Sequence, residues 1–501
     1  MTQDAPTGPR NGPETGPTMP KAIAEGRIHD AGNDSHAAPS LYHDRSFWAM
    51  TVTQFLGAFN DSVFKQILLL LCLTVVVVPG EPAVDKQFVA QGVFAIAFIL
   101  FSGIAGYWSD RIAKRWIVIG AKVGEIVVML CAVAAFAAMT QPEAVYEKTA
   151  SGQWGEATYY IHGMPWMLLA VLFLMGTQSA VFGPAKYGIL PELVPGPDLP
   201  RFNGVIQMTT FFALILGPWV GGILLGIYSQ RLWIGGLVCV AIAVAGTATS
   251  LFVRRTPVAQ PGAPFGWSSI AIGSDTFALL KSDRALRNAL WVYSLFWFVG
   301  ALIPMLVNWL GKQQFGLNYA DTSFMLATVS IGIAAGFVLA GKLSHGHVNF
   351  RLVRIGTWGL IVSLLLIALP GVGSADMEDA SVASSVAETG SAETFAKMPP
   401  NLLGYRGSQL ALVAAGFFAG FFALPVQVFL QSRPPAHLKG RVIGAMNLIN
   451  WIAIILAAVV FYPMCLQLLD WLELPKFCAF GITALMLLPV ALFYHPQNEE
   501  L

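Results

Sequence analysis

The chain has 501 residues, of which 55% are hydrophobic and only 11% are Asp, Glu, Lys or Arg. An ordinary soluble protein carries about 25% charged residues, so this chain cannot cover itself with a charged surface in water. The net charge of +1 implies no polyanionic partner, so nucleic-acid binding is not expected. The fold class expected is an all-α polytopic membrane protein.

Residues 1–45 are polar, rich in Pro and Gly, and have no apolar run, so a disordered cytosolic tail is expected rather than a signal peptide. An H-x4-D spacing at His29 and Asp34 lies in this tail, without a folded scaffold to make it a site. Twelve apolar segments follow, at 47–78, 87–108, 116–139, 165–186, 203–227, 232–253, 288–310, 322–342, 352–370, 407–430, 441–464 and 476–495. Each is close to the ~20 residues that cross a bilayer as helix. With both termini and every second loop on the cytoplasmic side, the inner segments hold 20 Lys and Arg and the outer loops 7. That asymmetry fixes the expected orientation. The longest inner loop, 254–287, carries Pro257, Pro261 and Pro264 and an amphipathic piece ending at Arg284. It divides the chain into a tail (1–45), a first six-helix bundle (46–253), a linker (254–287), a second bundle (288–495) and a short end (496–501). Longer outer loops at 140–164 and 371–405 occupy equivalent positions in the two halves, as in two-halved transporters.

The five cysteines have no paired spacing and read as small buried hydrophobes. No metal cluster, cofactor motif, phosphate loop or nucleophile–base pair is legible, so neither cofactor nor enzyme activity is expected.

Three motifs carry the functional signal. Between spans two and three stands Gly106-Tyr-Trp-Ser-Asp110-Arg111-Ile-Ala-Lys114-Arg115. It resembles the G-x-L-A-D-R-x-G-R-[KR] loop of the major facilitator superfamily, with Trp108 for Leu and Ala113 for the second Gly. Gly106 allows close packing at a helix end, and Asp110 is suited to pair with basic groups or a helix N-terminus in one transporter state. Arg111, Lys114 and Arg115 also satisfy a plain positive-inside loop. The equivalent loop after span eight keeps Gly341 and Leu343 but has His345 at the acidic position. His345 is either an exposed loop residue or a pH-sensitive substitute.

The second and third motifs are Gln54-Phe-Leu-Gly-Ala-Phe-Asn60-Asp61 in span one and Gly183-Pro-Ala-Lys186-Tyr-Gly-Ile-Leu-Pro-Glu192-Leu after span four. Together they are similar to the bacterial lysophospholipid transporter family, across roughly 47–495 and more weakly in the second half. The resemblance implies a twelve-helix major facilitator fold in the bacterial inner membrane. It implies transport of lysophospholipid, chiefly lysophosphatidylethanolamine, toward a cytoplasmic acyltransferase/acyl-carrier-protein synthetase. This chain ends at Leu501, so that partner is expected as a separate protein, with the transporter a monomer. The long tail and the 371–405 loop depart from the family pattern.

Asp61 lies inside span one, where an ionised carboxylate needs a partner. Lys65, four residues on, is placed to pair with it; Asp61 either holds the head-group amine, forms a gate pair with a basic residue, or makes a structural pair with Lys65. Lys186 either attracts the substrate phosphate or snorkels to the interface, and Glu192 is placed to meet Lys186 or Arg201. Lys122 and Glu125, three apart, read as a self-satisfied pair. A second function fits the same residues, a proton-coupled facilitator of another amphipathic solute or drug titrating at Asp61 or Glu125; a third, a membrane scaffold that docks an acyltransferase, gains nothing from the charges of Asp61 and Lys65 inside span one.

Overall fold

The computed structural model describes residues 44–76, 83–139, 143–145, 158–193, 199–256, 274–344, 347–371, 401–435, 439–494, 496 and 499–500. Residues 1–43 of the expected tail, with His29 and Asp34, and His345 and residues 372–400 of the second outer loop lie outside the described residues; Arg45, the last residue of that expected tail, instead opens the first helix. The first half runs α1 (Arg45–Leu71), β1 (Val75–Val76), α2 (Gln87–Arg111), α3 (Lys114–Ala138), β2 (Glu143–Val145), β3 (Thr158–His162), α4 (Trp166–Gly188), a single turn α5 (Leu190–Leu193), α6 (Leu199–Tyr228) and α7 (Leu232–Ser250). The linker holds α8 (Ser274–Ser282), the amphipathic piece read from the sequence. The second half runs α9 (Arg284–Trp309), α10 (Tyr319–Ser344), β4 (His347–Val348), α11 (Phe350–Ala368), α12 (Gly404–Ser432), α13 (Lys439–Phe461), α14 (Cys478–Leu485), α15 (Leu488–Phe493) and β5 (Glu499–Glu500).

Among the described residues, nine helical stretches are long and apolar enough to cross a membrane, one of them spanning α6 and α7 together. α1 is not among the nine, because Asn60, Asp61, Lys65 and Gln66 dilute its apolar run. The last apolar segment is broken rather than continuous: α14 ends at Leu485, and Pro489 begins a new helix. A proline ring clashes with the carbonyl four residues back and supplies no N–H, which ends the preceding helix.

Two buried clusters hold the helices together. One centres on Phe64, Phe136, Leu172 and Leu225 and binds α1–α4, α6 and α7. The other centres on Phe298, Leu364, Phe422 and Phe480 and binds α9–α15. Small residues set the closest approaches, as expected where lipid gives helices no hydrophobic reason to associate. A Cβ on Gly332 would run into the Val413 carbonyl, and one on Gly416 into the Val329 carbonyl, so α10 and α12 meet backbone to backbone.

The all-α expectation omitted two small sheets. β3 lies between β1 (parallel, Val75 opposite Ile161) and β2 (antiparallel, Glu143 opposite Tyr160). β4 pairs antiparallel with β5 near the C-terminus. These segments lie outside the helices, where extended backbone must find its own hydrogen-bond partners. Residues such as Thr158, Tyr159, Tyr160 and Ile161 favour that conformation. Four cysteines are described and all are unpaired; Cys72 and Cys239 are buried, whereas Cys131 is exposed on α3, against the expectation that all five sit in the core.

A charged cluster beside α1 and a clamp at the end of α4

α1 brings Asn60 and Asp61 against α3 and α4. Lys122 and Glu125 of α3 form an ion pair with both side chains only 1% exposed. Their spacing predicted this, since residues three apart share a helix face. Asn60 Nδ2 donates to Glu125 Oε1 at 2.8 Å, so the carboxylate is bound on both oxygens. Lys122 fits because two glycines flank it. A Cβ on Gly57 of α1 would lie 3.0 Å from Lys122 Nζ, and one on Gly246 of α7 2.7 Å from its Cε. Thr247 Oγ1 donates to the Lys122 carbonyl at 2.9 Å and ties the same turn to α7.

Asp61 and Lys65 are not in ion-pair contact, contrary to the sequence reading. Ser179 Oγ of α4 donates to Asp61 Oδ2 at 2.5 Å. Asp61 Oδ1 and Asn60 Oδ1 are buried atoms without a hydrogen-bond partner. Lys65 turns instead toward α2, with its Nζ 5.0 Å from the centroid of the Phe94 ring. Phe94 packs edge-on to Trp451 of α13 at 6.0 Å, and Trp451 stacks on Phe98 at 3.9 Å. The cation thus sits on an aromatic platform built from both halves of the chain. Lys65, Lys122 and Glu125 all lie close enough to act on the charge of Asp61.

One stretch along α1, Gln54 is buried and joins α1 to α6. Its Nε2 donates to Thr209 Oγ1 at 2.5 Å and to the Ile206 carbonyl at 3.2 Å, and Thr210 Oγ1 donates to its Oε1 at 3.1 Å. Lys186 Nζ reaches the same Thr210 hydroxyl at 3.5 Å and lies 5.0 Å from the Tyr187 ring centroid.

Glu192 pairs with Lys114, not with Lys186. The side chain of Arg201 lies outside the described residues. Gly188 makes the contact possible: a Cβ there would lie 2.8 Å from Lys114 Cε. Arg254, after α7, donates to the Glu192 carbonyl at 3.3 Å and to the Leu193 carbonyl, and its backbone N–H donates to Ser46 Oγ at 2.9 Å. Arg115 donates through Nη2 to the Leu251 carbonyl at 3.1 Å, and Arg111 to Tyr107 Oη at 2.5 Å. Gly106 has open space beside it, and the Asp110 side chain lies outside the described residues. The loop between α2 and α3 and the stretch after α4 therefore form one clamp.

The Major Facilitator Superfamily model matches residues 84–458. The chain belongs to this superfamily. Among curated proteins it is similar to the lysophospholipid transporter LplT of Enterobacter sp. (strain 638), 26% identical over 428 residues that cover 83% of this chain and 87% of the relative. It is also similar to LplT of Klebsiella pneumoniae subsp. pneumoniae, 27% identical over 84% of this chain and 89% of the relative. Two solved transporters share the fold. A D-xylose–proton symporter superposes with a TM-score of 0.61 at 12% identity, over 90% of this chain and 98% of its own. The nucleoside transporter NupG superposes with a TM-score of 0.57 at 12% identity, over 89% and 97%. The protein is a multi-pass membrane protein of a transporter superfamily, resembling the bacterial lysophospholipid transporters.

Within this superfamily fold, the residues singled out from sequence separate into two groups. Asp61 and Lys65 lie with Lys122 and Glu125 beside α1, while Glu192 lies in the clamp with Lys114. Lys186 belongs to the Gln54–Thr210 contacts rather than to either charge pair. Ser179, Phe94, Phe98 and Trp451 were not singled out. A hydroxyl and three aromatic residues in apolar helices carry no spacing signal of their own. Among the described residues, no group of three or more His, Cys, Asp and Glu is placed to hold a metal ion.

Proposed function

We propose that the protein is a secondary transporter that moves lysophospholipid, of the lysophosphatidylethanolamine type, inward across the bacterial inner membrane by alternating access. In this reading the chain crosses the membrane twelve times with both termini in the cytoplasm. Two six-helix bundles, 46–253 and 288–495, rock about the substrate, and a separate acyltransferase/acyl-carrier-protein synthetase takes the product.

The observation that carries the reading is the unpartnered Oδ1 of Asp61 beside the Lys65–aromatic platform. A buried acceptor with no donor costs about 1–3 kcal/mol, which an incoming N–H recovers. A head-group amine supplies such a donor. Lys65 supplies a cation for the phosphate, and Phe94, Phe98 and Trp451 give an acyl chain an apolar wall. The Lys122–Glu125 pair holds this side of α1 in place. The similarity to the lysophospholipid transporters LplT supports the same substrate.

The test is uptake of radiolabelled lysophosphatidylethanolamine by spheroplasts with and without the protein, and with Asp61→Asn. Uptake should require the protein and fall sharply in Asp61→Asn at equal membrane abundance. Uptake unchanged by deletion overturns the substrate. Uptake that persists in Asp61→Asn overturns the site. Transport of another solute that collapses with the proton gradient favours a proton-coupled facilitator instead.

A further inference from the structure

The end of the helices opposite the clamp carries a second buried polar system, and it joins the two halves. Gln66 of α1 donates through Nε2 to Asn308 Oδ1 of α9 at 3.0 Å and to Ser323 Oγ of α10 at 3.0 Å. Asn308 Nδ2 donates to Gln87 Oε1 of α2 at 2.8 Å. Gln87 Nε2 donates to Asp85 Oδ2 at 3.0 Å and to the Met305 carbonyl at 3.4 Å, and the Gln87 backbone N–H donates to Asp85 Oδ1 at 2.9 Å. All five residues are at most 7% exposed. The amides form a directed chain, each N–H pointing to the next oxygen, and it ends on a carboxylate.

Packing closes the seam around this chain. A Cβ on Gly222 of α6 would collide with the Tyr319 carbonyl of α10. Phe88 lies 5.3 Å from Tyr462 by ring centroids, and Lys86 Nζ 5.5 Å from the same Tyr462 ring. Gln87, which holds Asp85, thus bonds to the second half at Met305, and Lys476 of that half is close enough to act on the Asp85 charge.

We propose that this chain is a proton-operated latch on the outer seam, in which Asp85 takes a proton from outside water as the halves close over it and returns it as they part. The side assigned to the seam rests on the topology given under Proposed function. Burial pushes the Asp85 carboxyl from its ordinary 3.8 up to about 7, against the Gln87 N–H groups, Lys476 and Lys86, which all pull it down. The other titratable neighbour is the buried thiol of Cys72, just past the end of α1. Lys476 also faces Asp470 at 3.6 Å. When the halves part, Asp85 meets water and returns toward its ordinary value.

The sign follows from linkage. The closed seam binds the proton more tightly than the parted one, so acid favours closure. The closed-to-open ratio is flat above pH ~7 and rises about tenfold per unit as pH falls from there toward the ordinary carboxylate range. Between pH 7.5 and 5.5 it should rise roughly twentyfold.

Electron–electron distances between spin labels at Trp166→Cys and Leu402→Cys, exposed at the starts of α4 and α12, read this opening directly. The full chain is used in nanodiscs, with Cys72, Cys131, Cys239, Cys465 and Cys478 replaced by Ser. The short-distance population should grow at pH 5.5. Asp85→Asn, neutral at every pH, should be pH-independent and predominantly closed. Asn308→Leu, which removes two of the four bonds between halves, should lower the closed population about tenfold at both pH values. A pH shift that survives in Asp85→Asn, a wild-type seam that opens in acid, or one indifferent to pH overturns the latch. If the distances behave as expected and lysophospholipid uptake fails, the substrate is wrong and the latch stands.

Discussion

Glu125→Gln isolates what the Lys122–Glu125 pair contributes. Both side chains are 1% exposed, and Glu125 also accepts from Asn60 at 2.8 Å. Removing one partner of a buried pair costs about 3–5 kcal/mol, because the remaining charge stays desolvated. Here the loss has a partial remedy: Asp61 lies close enough to act on Lys122 and can turn toward it, at the expense of its bond to Ser179. Thermal unfolding in detergent, followed by fluorescence-detected size exclusion, should show Glu125→Gln well below wild type. Lys122→Met combined with Glu125→Gln should recover much of the loss. Asp61→Asn combined with Glu125→Gln should be worse than the sum of the two, since it takes away the fallback carboxylate. A Glu125→Gln midpoint equal to wild type, or double variants additive within about 0.5 kcal/mol, would refute the coupled cluster.

Gly222→Ala should force α6 and α10 apart, since its Cβ would collide with Ser323 Oγ. Overpacking of this kind costs about 1–3 kcal/mol and here falls on the closed seam, so the Trp166–Leu402 label distance should lengthen. Gly226→Ala, one turn along with open space beside it, should leave that distance unchanged. Glu192→Ala should expose Lys114 to acylation by a water-soluble ester, read by mass spectrometry, because the side chain that pairs with it and covers it is gone. Asp283 caps α9 through the Leu286 N–H at 3.0 Å and meets Arg433 at 3.0 Å. Burial pushes its carboxyl up, but the Leu286 amide and Arg433 outweigh that and hold it below its ordinary 3.8. Its contribution is therefore present above that value and lost as pH falls below it. Asp283→Ala should cost about 1 kcal/mol at neutral pH, with the difference from wild type shrinking in melts below the ordinary carboxylate range.

The helices were legible because lipid demands long apolar runs, and each of the twelve segments read from the sequence overlaps a helix. Breaks were less legible, since Pro489 sits in a run that remains apolar throughout. Within the site, the Lys122–Glu125 pair followed from spacing on one helix. The Asp61–Lys65 pair had favourable spacing too, yet Ser179 and Phe94 on neighbouring helices offer closer partners. Intrahelical spacing proposes a pair, and tertiary neighbours decide it. Lys114 and Glu192 are 78 positions apart, and nothing local to either predicts their meeting. Gln87 and Asn308 were invisible for a different reason: a single amide near a helix end is ordinary, and it becomes informative only when another buried amide faces it.

The two polar systems differ in what a rocking motion would do to them. The clamp contacts of Lys114, Arg115 and Arg254 fall on Glu192, Leu251, Leu193 and Ser46, all in the first half. A rigid-body rotation of one half against the other carries such bonds along unbroken. The Gln66–Asn308, Gln66–Ser323, Asn308–Gln87 and Gln87–Met305 bonds straddle the halves, and the same rotation must break them. Each costs little to exchange while water can replace it, about 0.5–1.5 kcal/mol, so four together resist opening without forbidding it. The resemblance to the superfamily loop drew attention to Lys114 and its neighbours. In this conformation those residues stiffen one half, and the bonds that join the two halves lie at the opposite end of the helices.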